Sequence, residues 1–79
     1  LGNTLRKEGR TSEAISHYNM AIKIKPDFAK AHNNLGNALF SIKKTEEAIS
    51  HYKMAIKLNP DFAAAQKNLK IAISELEKP

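Results

Sequence analysis

Pro26 and Pro60 stand 34 positions apart, and residues 1–28 laid over 35–62 agree at 18 of 28 positions without a gap. Leu-Gly-Asn, Glu-Ala-Ile-Ser-His-Tyr, Met-Ala-Ile-Lys and Pro-Asp-Phe all recur at this one offset. A fixed period of roughly 20–50 residues belongs to stacked repeat architectures, where one unit cannot bury its apolar face without a neighbour. That constraint excludes most single-core folds. At 79 residues a central core is marginal, whereas a stack needs only contacts between adjacent units.

Within each unit the apolar spacing is helical. Residues 1–8 read as the back half of a helix carrying Leu1 and Leu5, ended by Gly9 in a left-handed conformation. Thr11 then caps a second helix with Glu13 in its first turn, and Ala14, Ile15, Tyr18, Ala21 and Ile22 form its buried stripe. Pro26 stops it. Asp27 is placed to cap a helix over 28–42, with Phe28, Ala31, Leu35, Ala38, Leu39 and Ile42 inward. Gly36 lies mid-helix, where glycine costs about 1 kcal/mol against alanine, and so predicts a helix crossing too close for a Cβ. The next turn, Lys43-Lys44, has no glycine and relies on Thr45 to cap a helix over 46–58 with Glu46 and Glu47 behind it. A last helix, 62–77, turns Phe62, Ala65, Leu69, Ala72, Ile73 and Leu76 inward. Lys70 stands where Gly2 and Gly36 stood, and predicts that no further helix presses there. The expected organisation is one all-α domain over 1–79, with a partial repeat at 1–28, a full repeat at 29–62 and a capping helix at 63–79.

The pattern resembles the tetratricopeptide repeat (TPR), a helix–turn–helix unit of about 34 residues. With Ala29 first in the middle unit, Leu35, Gly36, Leu39, Ala48, Tyr52, Ala55 and Pro60 fall on the family's characteristic positions. Leu1, Gly2, Leu5, Ala14, Tyr18, Ala21 and Pro26 fill the same places one unit earlier, while the last helix keeps only Leu69 and Ile73. His32 and Gln66 stand where the family often has Trp. The resemblance implies a right-handed α-solenoid of antiparallel helix pairs. Its concave groove, lined by the first helix of each pair, is expected to bind a peptide or an extended segment of another protein. By that likeness Asn3, Arg6 and Lys7 line the groove from the first unit. Lys30, Asn33, Asn34, Asn37, Phe40 and Ser41 line it from the second, and Ala64, Lys67, Asn68, Ile71, Ser74 and Glu75 from the last helix.

Asparagine is a poor helix former, yet residues 33, 34 and 37 crowd one helix and Asn3 and Asn68 take equivalent places. A side-chain amide offers both donor and acceptor to a peptide backbone of any sequence, at about 0.5–1.5 kcal/mol net per bond. Asn34 and Asn68, one period apart, are expected to stack in a ladder similar to that of the O-linked N-acetylglucosamine transferase repeats. The alternative is that these are solvated asparagines copied by duplication. A net charge of +5, from 13 basic and 8 acidic residues, favours an acidic partner. The carboxylate clamp of some relatives, which reads an acidic C-terminus, is not expected, because Ala64 and Asn68 replace its basic groups.

No Ser/His/Asp constellation or phosphate loop is present, and His17, His32 and His51 lack metal-ligand spacing. The expectation is no enzyme, no metal and no cofactor. Absent cysteine, disulfides are excluded and the redox compartment is open, with the cytoplasm as default. No apolar run approaches the roughly 20 residues that span a bilayer, so no membrane is expected. Nucleic acid is not expected either, since only Phe40 offers the groove an aromatic and the basic stripe is sparse. Lys23, Lys25, Lys53 and Lys57 read as a solvated outer face. Two other readings stay open. One is self-association, by stacking or swapping through the apolar end at Leu1 and Leu5. The other is a substrate-presenting region of a larger enzyme.

Overall fold

The computed structural model describes residues 2–78, with side chains from Gly9 onward. Four helices follow in order: α1 Gly2–Ile24, α2 Ala29–Ser41, α3 Thr45–Leu58 and α4 Ala63–Glu77. The described residues contain no strand. A short turn folds α3 back along α2, α4 packs on α3 and touches α2, and α1 lies against α2. Leu35, Leu39, Ala48, Tyr52 and Ala72 make the buried cluster, with Ile15, Tyr18, Ile22, Phe40, Ile49 and Leu69 packed against it. Burial of each large side chain in that cluster stabilises the stack by about 1.5–3 kcal/mol.

Gly36 sets the depth of the α2–α3 contact. A Cβ built there would meet the Tyr52 ring at 2.6 Å (Cε1) and 2.7 Å (Cδ1), and Tyr52 is itself 1% exposed. The close crossing expected from a mid-helix glycine is therefore present. Lys70, at the matching place in α4, is exposed.

The first unit differs from expectation. α1 runs unbroken through Gly9, which has no positive φ, so the predicted break at Gly9 and the new helix capped by Thr11 do not form. Breaking there would open two sets of unbonded backbone ends. Keeping a glycine inside the helix costs only about 1 kcal/mol. In the second unit the break does form, with Lys43 left-handed at φ 70° and Lys44 N–H donating to Leu39 O at 2.9 Å. Burial of Tyr52 and Leu35 across the hairpin offsets the strain of a non-glycine residue there.

The caps differ too. Phe28, Lys44 and Phe62 occupy the positions preceding α2, α3 and α4 without side-chain capping bonds, so neither Asp27 nor Thr45 acts as predicted. Glu46 and Glu47 do sit in the first turn of α3, where they complement the helix dipole. Three residues predicted inward remain substantially exposed: Phe28 at 39%, Ile73 at 38% and Leu76 at 48%. On α4 the cause is plain, since Ala65 and Ala72 face α3 and no described helix covers the side that carries Ile73 and Leu76.

Candidate functional site

α2 and α4 carry the residues predicted to line a groove, and one side-chain bond ties them together. Asn68 Nδ2 donates to Asn33 Oδ1 at 3.1 Å. Asn33 is 5% exposed, so its amide holds α2 to α4 and is not offered to a ligand. Asn68, expected to stand one period from Asn34 along the groove, bonds sideways to the buried Asn33 amide. Asn37 is exposed, and its Oδ1 accepts the Tyr52 hydroxyl at 2.7 Å. Burial pushes the Tyr52 phenol above its ordinary pKa, which keeps the proton this bond requires and leaves the Asn37 NH2 as the outward donor.

Asn34 is half-buried beside an open cleft of about 360 Å³ between α1 and α2, lined also by Arg10, Thr11, Ala14, Tyr18, Asn37 and Ala38. Phe40, half-buried, borders a second hollow of about 320 Å³ with Ser41, Lys43, Thr45 and Glu75. Lys30 and Lys67 are exposed. Asn3 and Lys7 lie within α1, but their side chains fall outside the described residues.

Comparison with known families agrees with the helical-repeat fold. A family model described as TPR repeat matches residues 2–43, and one described as Tetratricopeptide repeat matches residues 29–62. The chain is a tetratricopeptide repeat protein. As such it is a protein–protein interaction module. No curated protein matches the chain. No described helix is long and apolar enough to cross a membrane.

Two TPR positions hold polar contacts that the sequence pattern did not announce. His32, 6% exposed, donates from Nε2 to Pro26 O at 3.1 Å. One period later Gln66 Nε2 donates to Pro60 O at 2.6 Å. The side chain standing where the family often has Trp therefore locks the proline turn before its own helix. The signal was available: a donor 34 residues from a donor, each six after a proline.

With Nε2 protonated, His32 presents Nδ1 as an acceptor, and His51 Nδ1–H meets it at 3.3 Å with the rings stacked 5.6 Å apart. Burial, then the neighbouring His32, depress the His51 pKa, and Glu47 offsets part of this. Repeat spacing pairs His17 with His51 and sets His32 apart. The fold instead joins His32 to His51, yet no group of three metal-ligating side chains occurs among the described residues.

Proposed function

We propose that this TPR chain works by binding and not by catalysis, and that it docks an extended, acidic protein segment along the inner face of α2 and α4. The observation that carries this reading is the chemistry of that face. The Asn37 amide keeps outward donors, Asn34 borders an open cleft, Phe40 gives an apolar step, and Lys30 and Lys67 are exposed cations. Amides pair with a peptide backbone irrespective of sequence, while the lysines and the +5 net charge select for acidity and speed encounter. Asn33 and Asn68 act differently, by holding the two helices in register. With bonds of about 0.5–1.5 kcal/mol each, a face this short binds weakly and is tuned by charge.

The test is titration with unstructured peptides of matched length, acidic and neutral, at low and high salt. Binding of the acidic peptide that weakens in Lys67→Glu and Asn34→Ala and with added salt supports the proposal. Equal silence towards both peptides, or binding indifferent to these changes, rejects it.

A further inference from the structure

Two side chains do the same job one period apart with different chemistry. Gln66 Nε2 donates to Pro60 O at 2.6 Å, and His32 Nε2 donates to Pro26 O at 3.1 Å. An amide is therefore enough to lock the proline turn. The imidazole adds what the amide lacks, a second ring nitrogen whose state is fixed by the first. With Nε2–H committed to a backbone carbonyl, His32 is held in the tautomer that leaves Nδ1 unprotonated. A histidine that ligates a metal is oriented in the same way, by a carbonyl on its other nitrogen. The free lone pair of His32 stands 3.3 Å from Nδ1 of His51.

We infer that His32 and His51 form a binding site for one borderline divalent cation of the zinc class, held between their two Nδ1 atoms. Two nitrogens at 2.0–2.1 Å from a tetrahedral zinc ion lie about 3.3–3.4 Å apart, and these two are 3.3 Å apart. The same distance is long for a hydrogen bond, where about 2.9–3.0 Å is usual. Bringing both lone pairs onto one ion needs a tilt of the rings, which the half-buried His51 has room to make. Its hydrogen passes from Nδ1 to Nε2, so the neutral ring binds with no net loss of a proton. Burial and the neighbouring His32 favour that neutral form, which is the ligating one. Glu47, one turn before His51 on α3, adds a negative charge that favours a cation. The described residues supply no third protein ligand, so water completes the coordination and binding is far weaker than at a four-residue structural site. Imidazole selects zinc, copper(II) or nickel over magnesium and calcium, which take oxygen ligands. The ion clips the first turn of α2 to the middle of α3. It does not depend on the peptide-binding reading.

The experiment adds zinc chloride, from micromolar to millimolar, to isotope-labelled protein at neutral pH. Imidazole nitrogen shifts locate the ion, and equilibrium dialysis counts it. The expected result is one ion per chain, with the Nδ1 signals of His32 and His51 both moved and those of the exposed His17 unmoved. His32→Gln keeps a donor for the proline turn on the Gln66 pattern and removes the ligand. That variant should stay folded by circular dichroism yet bind zinc at least about tenfold more weakly. His51→Asn should do the same, and zinc should raise the urea midpoint of the parent but of neither variant. Absence of any Nδ1 shift up to millimolar zinc overturns the inference. Binding that survives both variants, an equal response to magnesium, or one ion shared between two chains through His17 overturns it as well.

Discussion

Replacing Gly36 with alanine separates two effects that usually act together. Helix propensity favours the substitution by about 1 kcal/mol in a helix interior. Packing opposes it, because the new methyl would sit 2.6 Å and 2.7 Å from Tyr52 Cε1 and Cδ1 and 3.1 Å from Cζ. The ring cannot yield cheaply, being 1% exposed and tied through its hydroxyl to Asn37. Overpacking of a tight core costs about 1–3 kcal/mol, and displacing the ring forfeits a hydrogen bond of about 0.5–1.5 kcal/mol. The losses exceed the gain, so Gly36→Ala should destabilise by about 1–3 kcal/mol. Gly9→Ala is the internal control: no atom lies within 4 Å of its Cβ, so propensity acts alone and the variant should gain about 1 kcal/mol. Urea unfolding followed by circular dichroism reads both as opposite shifts in midpoint at unchanged slope. If Gly36→Ala stabilises the chain as Gly9→Ala does, the close crossing at Tyr52 is refuted.

Lys43→Gly should stabilise by about 0.5–1 kcal/mol, since glycine adopts the observed φ of 70° without a Cβ penalty; a lower urea midpoint would contradict this. Asn68→Ala should destabilise by about 1–3 kcal/mol, read as a lower midpoint, by stranding the buried Asn33 amide. Asn34→Ala, which strands no buried amide, should change stability little. Because the folded state holds the His51 pKa below 6.5, the unfolded chain binds protons more readily there. Stability should therefore be full above pH 6.5 and fall as the pH drops through the window beneath it, and His51→Asn should flatten that dependence in urea midpoints taken at several pH values.

The repeat length makes the helical stack legible. The close crossing at Gly36 is legible too, because a glycine in mid-helix sacrifices about 1 kcal/mol that only a neighbour needing the room repays. Two kinds of feature are not legible. The break at Gly9 looks stronger in sequence than the one at Lys43, yet only Lys43 turns. A left-handed residue forms where tertiary burial rewards the hairpin, and turn propensity alone does not supply that reward. Side-chain pairing is the other gap. Asn33 and Asn34 are chemically identical neighbours, and only the packing of α4 decides that Asn33 is buried and bonded to Asn68 while Asn34 borders the cleft. His32 and His51 are 19 residues apart and off the repeat period, so nothing in the spacing brings them together.

The claim that the inner wall of this stack is a docking surface is tested most directly by amide chemical shifts, recorded while an acidic extended peptide is added to labelled protein. Shifts concentrated at Lys30, Asn34, Asn37, Phe40 and Lys67, with Lys23, Lys53 and Lys57 on the outer helices unmoved, are the predicted result. Shifts spread over those outer lysines, or none up to millimolar peptide, would contradict it.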